Sequence, residues 1–135
     1  MTAIFSIGTS TPATGSNSIN RTLSTTPILL AEFGIGIPNG SNRVILNATI
    51  GISALLLNPT IIITVARDQQ VIFTSREELQ ISVGENRTVS VQAIDVNVPA
   101  TGNQRYVLTA QLAPGLLNGS SVTGPVTFSA VSYSV

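Results

Sequence analysis

Apolar and polar residues alternate with a period of two along most of the chain. The pattern is cleanest over Arg43–Ala54, where Val44, Leu46, Ala48, Ile50, Ile52 and Ala54 share one face of an extended strand and Asn47, Thr49 and Ser53 share the other. Such a strand lays one face on a core. Tyr106, Leu108, Ala110 and Leu112 repeat the alternation, and Leu79, Ile81 and Val83 give a shorter version that stops at Gly84-Glu85-Asn86. Thr60–Ala66 and Val126–Val135 are apolar on both faces, which predicts central or interface strands. Between Thr60–Ala66 and Val71–Ser75, Arg67-Asp68-Gln69-Gln70 predicts a hairpin turn. Over Arg87–Val98 the apolar phase changes, with Val89, Val91 and Ala93 at odd positions and Ile94, Val96 and Val98 at even ones. That slip predicts a β-bulge near Ala93-Ile94.

No stretch holds a capped 3.6-residue period, and turn groups such as Asn58-Pro59, Pro114-Gly115, Asn118-Gly119 and Gly124-Pro125 recur at short intervals. With Ile28–Ile37 included, residues 28–135 read as about eight strands, the pattern of an all-β antiparallel jelly-roll sandwich. Two segments precede this body. Residues 1–8 form a short apolar arm with Ala3, Ile4, Phe5 and Ile7 in a strand-like run. Residues 9–27 are a Ser/Thr/Asn-rich stretch, with twelve of nineteen residues of those types, expected to be a flexible linker. Fully extended it would reach ~65 Å. On that reading the arm is a candidate donor strand, able to add to the open edge of a neighbouring unit or to its own.

Composition sharpens this picture. Charged residues make up 9% of the 135-residue chain, against ~25% in ordinary soluble proteins. The formal net charge is zero and the mean hydropathy is +0.41. Little self-repulsion therefore opposes association. The longest apolar runs, such as Ala54–Leu57, fall far short of the ~20 residues of a membrane-spanning helix. The first residues carry no Lys or Arg, so a classical secretory signal is not expected. No Lys, two Tyr and four Phe leave neither the basic stripe nor the stacking platforms that nucleic acid requires.

Chemistry has few carriers here. The chain has no His and no Cys, so its 31 Ser and Thr lack the usual base, and thiolate metal sites are excluded. Neither catalytic activity nor a cofactor or metal is expected. Glu77-Glu78 is a conceivable acid pair, but neighbours on a strand point to opposite faces. Asp95, set among apolar residues, is expected either to pair with an Arg across a subunit boundary or to face solvent. Gly34-Ile35-Gly36-Ile37 precedes no helix and reads as a strand with close backbone approach, not a phosphate loop. N-x-S/T sequons stand at Asn20, Asn39, Asn47, Asn86 and Asn118, and the Ser/Thr-rich stretch is a candidate O-glycan acceptor.

Residues 42–53 (NRVILNATIGIS) followed by 60–68 (TIIITVARD) resemble the paired strands of C1q/TNF-like jelly rolls in the exosporium and endospore-appendage proteins of Bacillus-type bacteria. Residues 124–133 (GPVTFSAVSY) resemble the last strand of that fold. A Gly-X-Y collagen stalk and the cysteines of disulfide-linked appendage subunits are absent from this sequence. The resemblance implies a structural subunit that assembles with itself as a homotrimer and builds a fibre or layer on the spore surface. Such proteins are made within the mother cell and need no secretory signal. Other spore-surface proteins are further partners on this reading. Ile61, Ile63, Val65, Phe128, Val131 and Tyr133 become the candidate subunit interface, with the arm joining one unit to the next. A lectin-like or adhesive tip module and a viral or phage coat or fibre protein are the competing readings.

Overall fold

The structure, a computed structural model, describes residues 3–115 and 117–135. Met1 and Thr2 of the arm lie outside the described residues. The described residues form nine strands: β1 (Ala3–Ala13), β2 (Arg21–Thr22), β3 (Ile28–Gly36), β4 (Asn42–Ala54), β5 (Thr60–Arg67), β6 (Gln70–Glu78), β7 (Asn86–Val96), β8 (Asn103–Leu112) and β9 (Ser120–Ser134). They make two sheets. Sheet I has the order β1-β9-β4-β7, with β2 also paired to β9, and sheet II has the order β3-β8-β5-β6. All pairings are antiparallel. From β3 to β9 the chain crosses repeatedly between the sheets, and the eight long strands make a jelly roll.

Alternation explains which face each strand buries. From sheet I, Val44, Leu46, Ile50, Ile52, Val126 and Phe128 point inward, and from sheet II Ile35, Ile61, Ile63, Val65, Tyr106 and Leu108 meet them, all nearly or fully buried. Each such side chain stabilises the fold by about 1.5–3 kcal/mol of apolar burial. Phe33 links the layers, its ring centroid lying 4.7 Å from that of Phe128 and 6.1 Å from that of Tyr106. The turns are marked by residues that tolerate positive φ, with Asn58, Asp68 and Asn97 at 49°, 52° and 52°. Asp68 sits in the β5–β6 hairpin expected from Arg67-Asp68-Gln69-Gln70.

Three expectations about elements change. First, residues 79–83 form no strand; Leu79 and Ile81 are buried in an irregular connection. The eighth long strand is β1. The apolar arm continues through Ala13 and pairs with β9 of its own chain from Ala3↔Ser134 to Ala13↔Val126. It is a wall of the sandwich, because Gly8 lets β1 lie on Phe33: a Cβ at Gly8 would stand 2.4 Å from the Phe33 ring. Ser6 Oγ accepts the Gly36 N–H, and Ser132 Oγ donates to the Gly36 carbonyl at 2.7 Å. Gly36 is thus approached closely, as the sequence indicated. Second, residues 9–27 are not a free tether in this structure. Thr9–Ala13 belong to β1, Arg21-Thr22 pair with Val122 and Ser121, and Ala13 and Leu23 join the core. The buried apolar positions are too widely spaced among Ser and Thr to stand out in composition.

Third, no bulge interrupts β7. Its pairing with β4 runs unshifted from Arg43↔Val96 to Ser53↔Asn86. Val89, Ala93 and Asp95 therefore stay on the inner side, and Ile94 and Val96 point outward, each 55% exposed. The phase slip was real in the sequence, but it marks a change in what the outer face carries.

Candidate functional site

The register of sheet I decides what its outer face looks like. Ile7 opposes Val131, Val131 opposes Ile45, and Ile45 opposes Ile94, so one apolar row crosses all four long strands. One step along, Ile4, Tyr133, Arg43 and Val96 form a second row, with Val135 just beyond. Across the sheet in the other direction the row is Thr9, Ser129, Asn47 and Gln92. The face is apolar at one end and polar at the other.

Ile4, Ile7, Ile94, Val96 and Val135 are between 51% and 64% exposed. Exposed apolar residues gathered on one face form the kind of patch that marks a contact site. Val131, Tyr133 and Ile45 add half-buried surface, and a shallow depression of about 90 Å³ is lined by Arg43, Ile45, Tyr133 and Val135. Arg43 supplies the patch's charge. Asn42 fixes the strand end beneath it: its amide donates to the Val98 carbonyl at 2.8 Å while its Oδ1 accepts the Val98 N–H at 2.7 Å. The buried Asn42 thereby ties the end of β4 to the connection after β7.

The structure divides the residues expected to make subunit contacts. Ile61, Ile63, Val65 and Phe128 are at most 1% exposed in the core, so they form no subunit interface. β5 turns Ile61, Ile63 and Val65 inward and keeps Ile62, Thr64 and Ala66 for its outer side. Val131 and Tyr133 do reach the surface, and pairing brings them beside the arm residues Ile7 and Ile4. Ala3 pairs with Ser134 at the strand end, and Phe5, 57% exposed, sits at a register shift between Ile4 and Ser6. Of the two placements open to the arm, the structure has it added to β9 of its own chain. Ile45, Ile94 and Val96 were missed as surface residues. Their signal was available: Ile45 breaks the polar face of Arg43–Ala54, and Ile94 and Val96 produce the phase slip in β7.

The acidic candidates have other roles. Asp95 turns inward and bridges the sheets, its Oδ2 accepting from Arg67 Nη1 at 2.5 Å and from Tyr106 Oη at 2.9 Å. Arg67 also donates to Gln70 at 3.1 Å. The expected pairing of Asp95 with an Arg occurs within one chain. Burial, and then the adjacent Asp95 charge, push the Tyr106 phenol well above its ordinary range. Burial disfavours the Arg67 charge, but the hydrogen bond and charge of Asp95 outweigh it and raise the guanidinium. Glu77 and Glu78 end β6 beside an open cleft of about 320 Å³ shared with Arg87 and Ser90, and Glu78 pairs with Arg76 at 3.5 Å. Among the described residues no group of three or more acidic, His or Cys side chains is placed to hold a metal ion. No helix of the described residues is long and apolar enough to cross a membrane. Of the sequon residues, Asn118 is held by Thr60 and Ala113, whereas Asn39 and Asn47 are exposed.

No protein-family model matches the chain, and no curated protein does. Solved structures do. The chain is similar to the structure of infectious bursal virus-derived T=1 particles, at 10% identity and a TM-score of 0.53, over 98% of this chain and 35% of that one. A point mutant of the VP2 protein of infectious bursal disease virus in T=1 particles matches with a TM-score of 0.52, again at 10% identity and over 98% and 35% of the two chains. The arabinose-bound α-L-arabinofuranosidase MgGH51 matches at 10% identity and a TM-score of 0.50, over 96% of this chain and 23% of that one. The chain spans about a third of the length of the viral proteins it matches. At these identities the likeness is one of fold, an antiparallel jelly-roll sandwich.

Proposed function

We propose that the protein is a non-catalytic structural subunit that assembles with copies of itself through the outer face of sheet I. The observation that carries this reading is the apolar row Ile7, Val131, Ile45 and Ile94, continued by Ile4, Tyr133 and Val96. Ile4, Ile7, Ile94 and Val96 in it are each more than half exposed and offer apolar surface for a partner to cover. A second copy is a suitable cover, because the sparse, balanced charge gives little repulsion between copies. The finer reading, a trimer-based fibre or layer on the surface of a bacterial spore, rests on the resemblance of residues 42–53, 60–68 and 124–133. A coat protein is the second reading, supported by the fold likeness to viral particle subunits over 98% of the chain.

Sedimentation of the purified protein over a concentration series, with negative-stain microscopy of the same samples, tests the reading. Reversible oligomers are expected, seen as filaments or sheets on the spore-surface reading and as closed shells on the coat reading. A monomer at 100 µM and above would overturn self-assembly.

A further inference from the structure

Among the described residues the long edge strands are β1 and β7 in sheet I and β3 and β6 in sheet II, with the two-residue β2 following β1 along β9. Edges of this kind attract other strands, and proteins blunt them with charges, bulges and inward-pointing ionised groups. Three of these long edges carry charged residues. β6 carries Arg76, Glu77 and Glu78. β3 carries Glu32, paired to Arg105, and a register shift between Leu29 and Ala31. β7 carries Arg87 and the inward-pointing Asp95. β1 (AIFSIGTSTPA) alone has no charged residue.

Its irregularities lie at its ends. Register shifts fall between Ile4 and Ser6 and between Ser10 and Ala13, and Ser6–Ser10 pairs with β9 without interruption. Those five residues form a regular, uncharged edge whose outer face presents Ile7.

The geometry points to this edge as the place where a second copy docks, β1 against β1 across a two-fold axis passing near Ile7. Residues opposed across an antiparallel pair lie on the same face, so an isologous pair places one residue opposite its own copy. With Ile7 there, the row Ile94, Ile45, Val131, Ile7 of one copy runs directly into its mirror order in the other. One apolar row then crosses eight strands, and the two outer-face patches merge. Main-chain hydrogen bonds supply the pairing, and the opposed Ile7 side chains add a cross-strand apolar contact. The inference rests on the self-assembly reading and specifies how two copies meet.

The chain has no Cys, so single cysteines are clean probes. Ile7→Cys and Ile94→Cys lie in the same row at opposite edges of sheet I. Under copper-phenanthroline oxidation of each full-length variant, at a concentration where sedimentation shows oligomers, Ile7→Cys is expected to give at least tenfold more covalent dimer than Ile94→Cys. Equal cross-linking, or cross-linking of Ile94→Cys alone, would overturn edge pairing at β1 while leaving self-assembly intact. Oligomers that persist in both variants without any cross-link would overturn it as well. Wild-type protein that sediments only as a monomer would remove both readings.

Discussion

The outer faces of the two sheets are built by the same rule and carry different surfaces. On sheet II the register lines up Thr109, Thr64 and Thr74, with Arg76, Gln111 and the Glu32–Arg105 pair nearby. On sheet I the corresponding positions are Val131, Ile45 and Ile94, with Arg43 beside them. Threonine suits a strand by its branched shape yet keeps a hydroxyl for water, so this row of sheet II suits a solvent face, with Leu29 and Val71 as isolated exposed apolar residues beside it. Isoleucine has the same branch and no polar atom. The difference shows that strand propensity and surface chemistry are separate choices at these positions.

Perturbing the framework beneath both faces gives the largest expected effect. Gly51 sits where β9 bulges between Val122 and Val126, and a Cβ there would stand 1.8 Å from the Gly124 carbonyl oxygen. That oxygen is backbone and cannot swing aside. Gly51→Ala should therefore cost about 3 kcal/mol or more, read as a fall in the urea midpoint, and both faces should be lost together.

Next comes the bridge between the sheets. Asp95→Ala leaves Arg67 and Tyr106 without their shared acceptor. Side-chain exposures of 14% and 11% for Arg67 and Asp95 place the pair near the rim of the core. The expected loss is about 2 kcal/mol, below the ~3–5 kcal/mol of a fully buried pair. Because the bridge orients β7, this variant should weaken association as well as stability, whereas a change confined to sheet II should not.

A smaller effect separates the phenol from the ion pair. Tyr106→Phe removes one hydrogen bond and should cost about 1 kcal/mol. The folded state holds the Tyr106 proton more tightly than the unfolded chain does, whose phenol titrates near 10.0. Its contribution is therefore complete below about pH 10 and is lost as the pH rises above that value. Urea midpoints measured from pH 7 to 11 should fall more steeply for the wild type than for Tyr106→Phe at the alkaline end. Parallel curves would show that Tyr106 is not responsible.

Much of this architecture was legible in the sequence. The alternation over Arg43–Ala54 and Tyr106–Leu112 identified core strands and their inward faces, and the β5–β6 turn stood out through Asp68. What escaped was pairing. Nothing local distinguishes a donor strand from the first strand of a sandwich: β1 is recognisable only once Gly8 is seen to lie on Phe33, 25 residues away in sequence. The interface residues failed for a related reason. Ile61 and Ile63 are as apolar as Ile45 and Ile94, and which face of a strand meets the other sheet is fixed by its neighbours. The slip in β7 held the information about the surface, but a bulge was the reading that kept every apolar residue inside. The unbroken β4–β7 register shows that they are not all inside.

Assembly through sheet I, and not sheet II, is what we propose. It is tested most directly by comparing the sedimentation of wild-type protein, the double variant Ile45→Glu/Ile94→Glu and the control double variant Thr64→Glu/Thr109→Glu across one concentration series. Circular dichroism of the same samples establishes that each is folded. Association should weaken at least tenfold for the sheet I variant and change less than threefold for the sheet II variant. Folded proteins showing equal weakening, or weakening confined to the sheet II variant, would contradict the proposal.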